Sequence, residues 1–371
     1  MPLTARVSRL YLCSLLTLIV GALSVATRGQ TAATPTVRLS AAPRLVMPGA
    51  IDSNTPVMWS LVGGSWLLSV VTSFGGIPAL STGARVDTLP PAQPVFVLNH
   101  PGHGVWLESI VEDDQGVWFG YFHHEVPADA CARPDRQIPS IGAIRSEDRG
   151  HTWTYLGTVL EAQPDSYACA STNRYVLGGV GDVTAALDHD RQDLFLYYSQ
   201  YSRDIRVQGV AVARMAWADR DEPTGKASIW NDGAWIPPTR LPAAADDAPT
   251  TWVHVPGTPL VPATRSWHDG DGRADAFWGA AIHWNTYLGQ WVMLLNRARN
   301  ERFDQDGIYV SYSPTLSDPR RWSTPHQILN GGGWYPQVVG LEPGEGTDKR
   351  AGRHARFYLT GKSEFFIDFT R

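Results

Sequence analysis

The chain is poor in cysteine, with 3 in 371 residues, and it contains neither a C-x-x-C pair nor an H-x-x-x-H spacing. A structural zinc site needs closely spaced thiolate or imidazole ligands, so no motif offers one. Excess positive charge is also missing: 31 Lys and Arg against 36 Asp and Glu leave a formal charge of -5. No basic run is interleaved with aromatics, and a nucleic-acid partner is therefore not expected. Long helical patterns are scarce. Outside Leu10 to Ala26, no apolar run is long enough to cross a membrane.

What is present points to β-structure: 15 Trp, 13 Tyr, 35 Gly and 27 Pro. Arg6 and Arg9 precede the apolar run, and Ser24-Val25-Ala26 ends it with small residues. This is the pattern of a secretory signal over residues 1–26. It predicts a secreted or periplasmic protein, free of the membrane after cleavage. An uncleaved anchor is the alternative, although the run is slightly short of a full span. Residues 27–44, rich in Ala, Thr and Pro, read as a flexible leader, and 45–371 as a single domain, expected to be monomeric. Cys131 and Cys169 remain in the exported part, as a disulfide or as two buried thiols.

A loose repeat runs through that domain. Each unit places a polar or acidic residue near an aromatic, then an apolar strand, a turn and a second apolar strand. The units start at Asp52-Ser-Asn-Thr-Pro-Val-Met-Trp59, Trp106-Leu-Glu108, Gly181-Asp182-Val, Asp275-Ala-Phe-Trp278 and Trp334-Tyr335-Pro. A propeller blade needs about 40 to 50 residues, so five such units predict an all-β, five-bladed β-propeller with long loops. Six blades, or a β-sandwich, are the alternatives. Gly233 to Arg273, rich in Pro, Ala and Asp, reads as a long connection over one face.

In a propeller the start of each inner strand points at the central pocket. Asp52, Glu108, Asp182 and Asp275 occupy that place in four units and are the candidate catalytic residues. Converging carboxyls raise one another's pKa, which separates a general acid from a general base. Glycoside hydrolysis needs such a pair. Trp59, Trp106, Trp278, Trp334 and Tyr335 lie beside these acids and offer faces for sugars. In Tyr121-Phe-His123-His124-Glu125, strand alternation puts His123 and Glu125 on one face, as further substrate-binding candidates. His283 is another, and it is also a candidate for joining a central cation.

Two resemblances sharpen this reading. Ser146-Glu-Asp148-Arg-Gly150-His-Thr152-Trp153 resembles the Asp box of the sialidase superfamily, a turn found on outer hairpins of propeller blades. Sialidases also clamp a carboxylate with three arginines. Here Arg136-Gln-Ile-Pro139 departs from their Arg-Ile-Pro motif, and nothing marks Arg174, Arg214 and Arg297 as a triad. The blade pattern as a whole resembles the five-bladed glycoside hydrolases of families 43, 32 and 62. The likeness rests on Asp52-Ser-Asn-Thr-Pro and on Ile308-Tyr-Val-Ser-Tyr-Ser-Pro-Thr-Leu-Ser-Asp-Pro with Trp322-Ser-Thr-Pro. It implies Asp52 as general base, Asp182 as a pKa-tuning or orienting acid, and Glu108 or Asp275 as proton donor. Those families take the donor Glu from a later blade, where this chain has Asp275.

The expected function is thus a glycoside hydrolase acting on an oligo- or polysaccharide without a cofactor. A non-catalytic carbohydrate-binding propeller, or a protein-interaction platform, is the alternative. His268-Asp-Gly-Asp-Gly-Arg-Ala-Asp275 has alternating oxygen ligands of the kind calcium uses. Arg273 stands where an acid is needed, however, so a solvated acidic turn is the preferred reading.

Overall fold

The computed structural model describes residues 34–100, 102–242 and 251–371. The predicted export signal lies outside them. The described chain forms five antiparallel blades around an axis. Their inner strands are Val57–Val62, Gly104–Glu112, Val180–Leu187, Phe277–Asn285 and Pro336–Gly340, blades 1 to 5 in that order. The five-bladed propeller is therefore present, and the five hairpins expected from sequence are its inner strand pairs.

Because every blade packs against a neighbour on each side, its strands are apolar on both faces. In Asp193–Gln200 of blade 3, Leu194, Leu196 and Tyr198 pack with Phe119, Tyr121 and Ile141 of blade 2. The intervening Phe195 and Tyr197 pack with Ala280, Ile282 and Met293 of blade 4. The period-2 alternation of a strand thus serves two interfaces at once. Similar clusters join blade 4 to 5 (Leu294 and Val310 with Phe357 and Ile367), 1 to 2 (Val71 and Leu80 with Leu107 and Trp118) and 5 to 1 (Val339 and Tyr358 with Val57 and Val70).

The ring is closed by a segment that composition alone suggests is unstructured. Thr36–Val46 pairs antiparallel with Lys362–Thr370, from Thr36 opposite Thr370 to Val46 opposite Lys362, as the outer strand of blade 5. The compact unit accordingly starts at Pro35, and the flexible-leader reading is corrected for these residues. Pro43 misled because proline is excluded from central strands. At an edge it is tolerated, and the register breaks between Ala41 and Leu45, around it. Of the predicted connection from Gly233 to Arg273, Ala234–Ile236 is a further strand of blade 3.

The turn at residues 147–151 links Ser140–Ser146 to Thr152–Leu160, the third and fourth strands of blade 2. Asp148 accepts from the Thr152 amide (2.9 Å) and hydroxyl (2.6 Å), and Ser146 Oγ accepts from the Gly150 amide (2.8 Å). Gly150 takes φ 88°, and the Trp153 indole folds back to donate to its carbonyl at 3.0 Å. Nearby, Cys131 and Cys169 form a disulfide across 38 residues, with Cα atoms 5.0 Å apart. Removing it in a Cys131→Ser/Cys169→Ser variant is expected to cost about 2–4 kcal/mol through a less constrained unfolded chain. Denaturant titration of the two proteins measures the difference.

Candidate active site

The acids are positioned by two bulges. Pairing of Gly104–Glu112 with Trp118–Glu125 shifts between Leu107 and Ser109, around Glu108. Pairing of Val180–Leu187 with Asp193–Gln200 shifts between Gly181 and Thr184, around Asp182 and Val183. A bulge takes amides out of the ladder, and a buried amide needs another acceptor. Blade 2 supplies both: the Asp182 amide donates to His123 Nδ1 at 3.0 Å, and the Val183 amide donates to the Glu108 carboxylate. These contacts hold Asp182 at φ 44°, a left-handed conformation that a non-glycine residue adopts only when its surroundings enforce it.

The Asp182 carboxyl is received by two phenols. Tyr201 donates to one oxygen, and Tyr335 approaches the other at 3.5 Å. Burial still outweighs these hydrogen bonds and pushes the Asp182 carboxyl up to about 6. Glu108 is sealed in, 1% exposed, and burial and then the Asp182 charge hold its carboxyl well above the usual range. Asp52 lies just before blade 1, fixed by its amide to the Ser73 carbonyl at 2.8 Å. It is half-buried and raised by burial, then by Asp182. Glu125 ends the second strand of blade 2 with its side chain 37% exposed. Burial first, then the charges of Asp52 and Asp182, push its carboxyl up to about 7. Four carboxyls from three blades thus share one electrostatic neighbourhood.

His123 sits among them. Burial lowers it to about 4, so the ring is neutral near pH 7. With Nδ1 accepting from Asp182, the proton belongs on Nε2, which is 3.9 Å from Glu125 Oε1 and has no hydrogen-bond partner. His123 and Glu125 share a face as alternation requires. His124 points the other way, to Gly102 and the His100 ring. Glu108, His123 and Asp182 place one ligand atom each within 4.8 Å of one another, a geometry that a cation could engage. The bulge amides already donate to Glu108 and to His123 Nδ1.

Other candidates go elsewhere. Asp275 accepts from Thr264 and Arg265 and lies 3.6 Å from Arg297, and its hydrogen bonds keep its carboxyl below the usual value despite burial. It is an ionised loop anchor and is not placed to act as the proton donor. Asp271 pairs with Arg273 at 2.9 Å, so the loop's acids are spent on arginine and peptide groups. Trp59 donates to the Gly346 carbonyl and, with Glu112, His189 and Trp284, lines a cavity of about 420 Å³ at the opposite mouth. Trp278 is only 2% exposed and supports Trp334 and Tyr335 from behind. His283 is buried against Phe369, lowered to about 3 by burial and the Lys349 charge, and outside the His123 cluster. Trp106 remains half-buried with its ring 5.9 Å from His123, and Trp334 is half-buried too.

Sequence reasoning missed Tyr201, which follows an inner-pair strand and carries no motif. It also missed Lys349, whose Nζ donates to Thr184 Oγ1 at 2.9 Å and pairs with Asp348 at 3.3 Å. Lys349 lies in a Gly- and charge-rich loop that looks solvated in sequence. The arginines of a sialidase clamp do not assemble: Arg214 stacks on Trp235 at 4.7 Å, and Arg297 serves Asp275 and Asp306.

No family model and no curated protein matches the chain. Among solved structures, an endo-arabinase from Bacteroides thetaiotaomicron VPI-5482 matches 88% of this chain and 97% of its own, at TM-score 0.50 and 9% identity. An arabinanase from Bacillus subtilis matches 90% of this chain and 96% of its own, at TM-score 0.43 and 13% identity. A thermostable family-43 glycoside hydrolase covers 88% and 92%, at TM-score 0.46 and 10% identity. At these identities the likeness is one of fold.

Two outcomes test this geometry. A Cβ on Gly181 would lie 2.3 Å from His123 Nδ1, so Gly181→Ala should push the ring off the Asp182 amide and cost about 1–3 kcal/mol. A denaturant melt reads the loss. For Glu125, the folded carboxyl titrates above its usual 4.5, near 7. The folded state therefore binds the extra proton, and its stability contribution is present below about 4.5 and lost as pH rises through about 7. Wild type should lose stability relative to Glu125→Gln across that window, as measured by melts at a series of pH values.

Proposed function

We propose that this chain is an exported glycoside hydrolase working at the mouth formed by the starts of its inner strands. The observation that carries the reading is the meeting of Asp52, Glu108, Glu125 and Asp182, each with a pKa raised by burial, and all but Asp182 raised further by neighbouring acids. Hydrolysis of a glycosidic bond needs one carboxyl that keeps its proton and one that gives it up. Asp52, half-exposed and outside the sealed pair, is the general base. Asp182 and Glu108 sit too deep to meet a sugar and act by setting the charge of the site. The half-buried rings of Trp106 and Trp334 offer faces for a saccharide. The predicted signal supports export.

One observation favours a second reading, a non-catalytic carbohydrate-binding propeller. Blade 4 presents Gly279, at φ 57° and backed by Asn296, where an acid would complete the ring. Sugar release from aryl glycosides and polysaccharides by the purified mature protein separates the two. Asp52→Asn should lower turnover at least about a hundredfold, and Asp182→Asn should do likewise through the altered site charge. Folded wild-type protein that binds saccharide and releases nothing would leave the binding module standing.

A further inference from the structure

Four carboxyls share the site, yet two of them cannot reach a substrate. Glu108 is 1% exposed and Asp182 4% exposed. One Glu108 oxygen accepts from the Val183 amide, and the Asp182 oxygens face the Tyr201 and Tyr335 phenols. Asp275, which stands before blade 4, is tied to Arg297 and Thr264. The carboxyls that combine solvent access with proximity to the cluster are Asp52 and Glu125. A general acid must touch the leaving oxygen, so accessibility decides between the four.

We propose that Glu125, from the second strand of blade 2, is the proton donor of the reaction in which Asp52 is the base. The inference rests on the hydrolase reading above. Its second support is the unpartnered Nε2 of His123, which is buried, carries the ring proton and lies 3.9 Å from Glu125 Oε1. Its N–H faces the oxygen that becomes a carboxylate once the proton has left, so it is placed to stabilise the product state of the transfer. Nδ1 of the same ring is anchored on the Asp182 amide, which fixes the direction of the N–H. The elevated pKa of Glu125 is consistent with a group that is still protonated when substrate arrives. In the step, the glycosidic C–O bond breaks and its electron pair passes to the leaving oxygen, which takes the proton of Glu125. Water bonds to the anomeric carbon and gives a proton to Asp52. Exchange with solvent then restores both groups.

The test compares wild type and Glu125→Gln on the 2,4-dinitrophenyl glycoside and the unactivated alkyl glycoside of whichever sugar the wild type releases. A dinitrophenolate leaves without protonation and an alkoxide does not. The variant should lose at least about a hundredfold on the alkyl glycoside and only a few-fold on the activated one. The alkaline limb of the wild-type kcat/KM profile, near pH 7, should vanish in the variant. Equal losses on both substrates with the limb retained, or no loss on either, would overturn the assignment while leaving the hydrolase reading intact. A folded wild type inactive on every glycoside would instead remove the hydrolase reading and this one with it. Circular dichroism establishes that the variant is folded, and Glu125→Asp should recover part of the activity on the alkyl glycoside.

Discussion

Two peptide amides at the start of blade 3 constrain everything around them. Bulging at Asp182 and Val183 frees their N–H groups from the ladder inside a buried core, where an unpaired amide costs about as much as a lost hydrogen bond. Blade 2 answers with an imidazole and a carboxylate. The same contacts fix the tautomer of His123, hold Asp182 in a left-handed conformation, and lock the register of one blade against the next. Structure and chemistry are therefore not separable here. A side chain that satisfies the backbone also sets the charge of the site.

The electrostatic consequence is a graded set of carboxyls. Depth sorts them: Glu108 and Asp182 are enclosed, Asp52 and Glu125 stand at the rim. Lys349 approaches from the far side and partly offsets the burial of Glu108, while the Asp348 beside it takes up some of its charge. Burial raises the rim carboxyls first, and the charges of their neighbours raise them further. Altering one carboxyl of such a set alters the others.

Much of the fold was legible in the sequence because each inner strand pair leaves a local signature of an apolar run, a turn and a second run. The grouping of Asp52, Glu108 and Asp182 was legible through that repetition, and the shared face of Glu125 and His123 through strand alternation. Asp275 occupied the same place in the pattern and failed, since its side-chain direction is decided by Thr264 and Arg265, across a loop that no periodicity describes. Trp59 failed for a related reason: it lies far enough along its strand to belong to the opposite mouth. Tyr201 was invisible because it follows its strand without a motif, and Lys349 because its partner Thr184 lies on another blade. Thr36–Val46 was invisible because it is an edge strand of small residues, stabilised by pairing with distant chain more than by its own apolar pattern.

That last strand has a bearing on how the molecule is made. The first described strand pairs with the last, so blade 5 lacks its outer strand pairing until nearly the whole chain has been synthesised. Contacts of such sequence separation form slowly, since loop-closure entropy must be overcome before they stabilise the fold. Blades 2 to 4 can assemble through their shared clusters beforehand, while an unpaired sheet edge waits on blade 5. Such edges are open to other chains at high concentration. Late closure of the ring therefore places the aggregation-sensitive interval at the end of folding.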